Sequence, residues 1–134
     1  MSKKYIRMAM REAKKARHRQ HFLGAVLLRG SNPIAVAHNF SHIHAEEAAI
    51  GRAWKSGTVG TTLVVVRVRK NGDLANSKPC KMCQSLLLVA GVKKVIYSDN
   101  SGQIQTIRLT DINPHVDLAA LHRKDLFLFG ERGS

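Results

Sequence analysis

Apolar residues recur at helical spacing from the start of the chain. Ile6, Met10, Ala13 and Ala16 form a stripe that Tyr5, Met8 and Ala9 widen, and the opposite face is almost wholly Lys and Arg. Ser2 is placed to cap this segment, so a helix is predicted over about residues 2–17. The pattern then changes. Residues 22–28 read as a buried strand, 30–33 as a turn and 34–38 as the antiparallel return. A loop over 39–43 leads into an alanine-rich helix over about 44–55, which Gly57 and Gly60 terminate. Residues 61–68 are the strongest strand. Leu63, Val64, Val65 and Val66 run without alternation, which implies burial on both faces. After a turn at 71–73, a helix is predicted over about 80–90, with Leu86, Leu87 and Val89 on its packing side and Gly91 closing it. Strands over 95–97 and 104–109 and a short helix over 116–122 complete the chain. The order α-β-β-α-β-α-β-β-α implies an α/β fold, with a mixed sheet of about five strands and helices on both faces.

At 134 residues the chain is read as one domain over 1–134, without repeats or linkers. No apolar run approaches the roughly 18 residues of a membrane span, and the basic N-terminus lacks the apolar core of a signal peptide. The two cysteines share one C-x-x-C, so no disulfide framework is available and a reducing, cytoplasmic setting is expected. Net charge is +13, and residues 1–30 hold nine Lys/Arg against the single acid Glu12. A polyanion is the natural partner for that excess, although a solvated basic face explains it too.

The chemistry gathers at His44-Ala45-Glu46 and Pro79-Cys80-Lys81-Met82-Cys83. His44, Cys80 and Cys83 offer one imidazole and two thiolates, a donor set suited to one zinc ion per chain in tetrahedral geometry. Three protein ligands leave a fourth position for water, as in catalytic sites. Glu46 stands two residues from a ligand, near enough to move protons without binding metal. Two duller readings compete. The C-x-x-C is also a redox dithiol pattern, and a fourth ligand from His38 or His42 would close the site.

H-x-E paired with P-C-x-x-C is the signature of the zinc nucleobase deaminases. On these residues the chain resembles the cytidine/deoxycytidylate deaminase superfamily, with a zinc-site core over about 22–98. The resemblance implies the three-layer α-β-α cytidine-deaminase-like fold. It also implies hydrolytic attack at C4 of cytosine by a zinc-activated water, with Glu46 passing the proton to N3 and then to the departing ammonia. The backbone N–H of Ala45 is expected near the base, and Asn39 matches a position where many relatives hold the sugar. Phe40 and His42 are candidates for stacking on the base. Lys78 stands before Pro79, where relatives often carry Glu or Ser, and so alters the contacts expected at the exocyclic amine.

The stretch 79–97 looks more like the deoxycytidylate and cytidine-editing deaminases than the tRNA adenosine deaminases, though Met82 is common in the latter. The loop 39–43 is short, without the Gly-rich stretch of enzymes acting on free dCMP. An open pocket beside a basic helix favours cytosine in single-stranded DNA or RNA. The alternatives are a deoxycytidylate or cytidine deaminase, a tRNA adenosine deaminase, and a catalytically idle nucleic-acid-binding module. A homo-oligomer is compatible with the sequence.

Overall fold

The computed structural model of the protein describes residues 3–16, 22–39 and 57–109. The helices expected over 44–55 and 116–122 lie outside the described residues, as do Phe40, His42, His44, Ala45 and Glu46. The described elements are α1 (Lys3–Ala13), β1 (Phe22–Arg29), β2 (Asn32–His38), β3 (Thr62–Val68), β4 (Leu74–Ala75), α2 (Lys81–Val89), β5 (Lys94–Ser98) and β6 (Ile104–Arg108). Five strands form the path β2-β1-β3-β5-β6, and the two-residue β4 pairs with β3 off that path.

The sheet is mixed because of one connection. β3 and β5 are parallel, with Thr62 opposite Lys94 and Val65 opposite Tyr97, while the other pairings are antiparallel. A parallel pair needs a crossover, and α2 supplies it. The uninterrupted apolar runs of β1 and β3 are explained by the two layers they separate. Val26, Leu28, Val64, Val66, Val68 and Ile96 pack with Ala9 and Ala13 of α1. The alternate residues Ala25, Leu27, Leu63, Val65 and Val95 pack with Leu87 of α2 and with Leu109. The three-layer α-β-α arrangement follows from that two-sided burial.

α1 lies close on the sheet because Gly24 has no side chain. A Cβ there would collide with the Ala9 carbonyl oxygen and come 2.5 Å from the Ala13 nitrogen. At the other end of the fold, α2 stops in a Schellman arrangement. Gly91 takes φ +87, Val92 N donates to Leu87 O at 3.0 Å and Gly91 N to Leu88 O at 3.0 Å.

Some sequence expectations are adjusted. α1 is shorter than 2–17, ending at Ala13 with a turn to Ala16. Val89 does not pack: it is 56% exposed, and Leu86 and Leu87 make the contact with the sheet. The two-residue β4 is too short to show any period of its own.

Register brings several chain ends to one edge of the sheet. Phe22 opens β1 opposite Val68, which ends β3, and His38 ends β2 opposite Gly24. Ser98 ends the parallel strand β5 beside them. This is the carboxyl edge of the parallel pair, where open α/β sheets place their ligands.

Candidate active site

α2 starts at this edge. The chain leaves β4, turns through 76–80 and enters the helix with Cys80 as its N-cap, at φ −65 and ψ 166. The Cys80 sulfur accepts the Cys83 N–H at 3.4 Å, so the two cysteines stand one helical turn apart. Cys83 is buried and Cys80 is exposed. The Cys83 amide points at the Cys80 sulfur, and the start of a helix is a setting that in general favours thiolate, the form that binds metal. Pro79 is buried before the cap, where its lack of an N–H costs nothing, and Gln84 Nε2 donates to its carbonyl at 2.8 Å.

A buried serine pair fixes this helix start to the sheet. Ser77 Oγ donates to Val65 O at 2.8 Å, lies 2.9 Å from Ser98 Oγ and accepts the Ser98 N–H at 2.9 Å. Ser98 Oγ donates to Ala75 O at 2.6 Å, and Ser77 N donates to Ser98 O at 2.8 Å. Residues 77 to 80 are thereby held to the ends of β3 and β5. Lys78, next to the pair, is exposed, and its N–H donates to Asn76 Oδ1 at 3.2 Å.

Asn39 follows β2 at the same edge and is 4% exposed. Its Oδ1 accepts the Leu23 N–H at 2.9 Å, and its own N–H donates to Leu23 O at 3.1 Å. The carboxamide oxygen thus extends the β1–β2 ladder by one pair.

Among the described residues Glu12 of α1 is the one buried acid. Its Oε1 lies 2.9 Å from His38 Nδ1 and its Oε2 lies 3.1 Å from Lys15 Nζ. Burial alone pushes the Glu12 carboxyl up, but hydrogen bonds and charge from His38 and Lys15 outweigh it and hold the group below the usual glutamate range. His38 is thereby engaged by α1. The sequence offered one signal for this pair: Glu12 sits on the apolar stripe of α1, between Ala9 and Ala13. The Ser77–Ser98 pair had no such signal, because the two residues meet only through the parallel register.

Among the described residues no group of three His, Cys, Asp or Glu side chains gathers to hold a metal. Cys80 and Cys83 fit two of the three expected positions, at a helix N-terminus suited to thiolates. Tyr97 lies half-buried against the core layer under α2.

Comparison with known proteins agrees with this geometry. The dCMP deaminase of cyanophage S-TIM5 superposes with a TM-score of 0.60 at 21% identity, covering 74% of this chain and 82% of that one. A cytidine deaminase from Burkholderia pseudomallei gives a TM-score of 0.69 at 18% identity, covering 87% and 98%. The bifunctional diaminohydroxyphosphoribosylaminopyrimidine deaminase/5-amino-6-(5-phosphoribosylamino)uracil reductase of Thermotoga maritima gives 0.57 at 22% identity, covering 91% of this chain and 34% of that one. These likenesses establish the fold. No curated protein matches in sequence. Residues 1–99 match the profile of the cytidine and deoxycytidylate deaminase zinc-binding region, about three-quarters of the chain, and the protein therefore belongs to that deaminase family.

Proposed function

We propose that the protein is a zinc-dependent hydrolase that converts the cytosine of a free nucleoside or nucleotide to uracil. The observation that carries this reading is the family match over residues 1–99, which includes His44, Glu46, Cys80 and Cys83. The likeness in fold to a dCMP deaminase and a cytidine deaminase supports the free pyrimidine as substrate. On this evidence the order of preference at the sequence level is reversed, and cytosine in a single strand becomes the second reading.

In the proposed site His44, Cys80 and Cys83 hold zinc, which when bound lends Lewis acidity that makes a water proton available near neutral pH. Cys80 and Cys83 bind as thiolates that the start of α2 favours. Glu46 accepts the water proton and delivers it to N3 of the base. The water oxygen bonds to C4, and Glu46 then takes the proton of the resulting C4 hydroxyl and passes it to the C4 amine, so that the C4–N bond breaks, ammonia leaves and the C4 carbonyl of uracil remains. The Ala45 N–H and the Asn39 amide nitrogen contact the base and the sugar. Phe40 and His42 flank the base, and Lys78 stands at the rim beside Pro79 and Cys80.

The second reading, cytosine in single-stranded DNA or RNA, is favoured by the +13 charge. One experiment separates the readings. Zinc-loaded protein and its Glu46→Ala variant are incubated with cytidine, dCMP, a cytosine-containing single strand and an adenosine-containing tRNA stem-loop, and conversion is followed by mass. Glu46-dependent conversion of cytidine or dCMP is expected. Conversion confined to the strand would select the second reading, and conversion confined to the stem-loop would select an adenosine deaminase. No Glu46-dependent conversion of any of them would overturn the deaminase reading and leave a nucleic-acid-binding module.

A further inference from the structure

The basic residues of α1 do not stand alone at the sheet edge. Arg7, Arg11 and Lys14 follow one another at four and three residues along its outer face, and with Met10 they line one shallow concavity. Lys14 also lines a second groove of about 390 Å³, shared with Phe22, Val68, Arg69, Lys70, Asn71 and Gly72. The two concavities thus meet at Lys14, which lines both. Five cations line them, with no acid among the described residues, and none of the five is ion-paired there. Glu12, the acid of α1, is turned inward to His38 and Lys15.

The second groove has one aromatic among its cations. Phe22 is half-buried, packed on the α1 layer of the core and still lining the groove together with Lys14, Arg69 and Lys70. The wall at 69–73 is a turn closed by backbone hydrogen bonds, Arg69 N to Asp73 O at 2.8 Å and Gly72 N to Arg69 O at 2.9 Å. Its shape does not depend on the side chains of Arg69 and Lys70. The groove opens at the edge of the sheet where β1 begins and β3 ends, beside Asn39.

We propose that this groove, from Arg7 along α1 to Phe22, Arg69 and Lys70, is a docking track for single-stranded nucleic acid. Cations spaced along a track bind successive phosphates, and an aromatic face between them stacks a base without regard to sequence. A site for one phosphate does not need five cations spread over two concavities. A flat anionic surface has no use for an aromatic set among them.

The test uses fluorescence anisotropy of a labelled oligothymidylate of about twenty nucleotides, ample for a track of this kind. Thymine has no exocyclic amine, so binding is read separately from any deamination. The unmodified protein is expected to bind with a log–log salt slope of roughly −3.5, from about five phosphate contacts at −0.7 each. Arg69→Glu with Lys70→Glu is expected to weaken binding at least ten-fold and to make the slope shallower by about 1.4. Phe22→Leu keeps an apolar side chain on the core and is expected to weaken binding about five-fold with the slope unchanged. A charge-matched control, Lys93→Glu with Arg108→Glu, alters exposed residues at the opposite edge of the sheet and is expected to stay within about two-fold of the parent. Thermal midpoints of all variants confirm folding. An equal loss in the control would reduce the effect to net charge. No loss with Phe22→Leu would reduce the groove to a phosphate trap. Competition by dTMP or by phosphatidylserine vesicles as effective as that of unlabelled strand would assign it to another anion. Any of these results overturns the proposal.

Discussion

Replacing Gly24 by alanine tests how α1 is seated. On propensity alone, alanine is the better strand residue, and the change should stabilise by about 0.5–1 kcal/mol. The structure predicts the opposite sign. The new Cβ would meet the Ala9 carbonyl oxygen and lie 2.5 Å from the nitrogen and 3.0 Å from the Cα of Ala13. These are backbone atoms, so no rotamer change relieves the clash, and α1 must retreat by about 1.5 Å to reach ordinary contact. A gap of even 0.5–1 Å forfeits about a quarter to a half of the dispersion energy along the interface. Overpacking typically costs about 1–3 kcal/mol, and an obstruction made of backbone belongs at the upper end. At about 4 °C per kcal/mol for a chain of this length, the thermal midpoint of Gly24→Ala should fall by about 12 °C. Adding Ala9→Gly should not rescue it, because the Ala9 carbonyl stays where it was. A midpoint that is unchanged or raised would refute the close approach of α1 to β1.

Three further outcomes are expected. Ser77→Ala leaves the Val65 carbonyl and the Ser98 N–H with one partner fewer in a buried place, and should cost about 3 kcal/mol in urea unfolding, whereas Lys78→Ala next to it should stay within about 0.5 kcal/mol. The lowered pKa of Glu12 means that its stabilising contribution is complete above the ordinary glutamate range and is lost as pH falls below that range through the folded value. Thermal midpoints measured from roughly pH 5 down to pH 3 should therefore fall less steeply in Glu12→Gln than in the parent, from a lower starting value. Zinc measured by atomic emission should be retained by the parent through gel filtration and lost from both Cys80→Ala and Cys83→Ala. Retention in Cys80→Ala alone would remove the exposed cysteine from the proposed ligand set.

Much of this fold was legible because its strongest signals are local. The unbroken run Leu63–Val66 announced burial on both faces, and the two core layers divide its residues alternately. Gly91 marked the end of α2 because only a residue at ease with positive φ closes a helix that way. The misreadings have local causes as well. Val89 fits the apolar pattern of α2, yet the helix is amphipathic over a narrow arc, and Leu86 and Leu87 fill the space facing the sheet. The role of Asn39 in the β1–β2 ladder could not be read in advance, because its partner Leu23 lies 16 residues away. The motif residues named the chemistry, but not the bonds that seat Cys80 and Cys83. Those run through Ser77 and Ser98, whose meeting depends on a parallel pairing that no spacing reveals.

The parallel pair also explains why binding residues collect where they do. A crossover must return through α2 to the foot of β5, so α2 necessarily begins at the carboxyl edge of β3 and ends at the opposite edge, where Thr58 Oγ1 caps Ala90 O and Gly60 N donates to Gly91 O. The antiparallel hairpin of β1 and β2 then delivers Asn39 to the edge where α2 begins. α1 runs so that its own carboxyl end, with Glu12 and Lys14, reaches that edge too. Cys80 and Cys83, Asn39 and the basic track are thus gathered by topology, although they come from four separate parts of the chain. Sliding β1 by one residue against β3 would turn position 24 away from α1 and shift the β1–β2 hairpin, Asn39 with it, against the start of α2. The seat of the helix and the approach to the proposed site therefore depend on a single register.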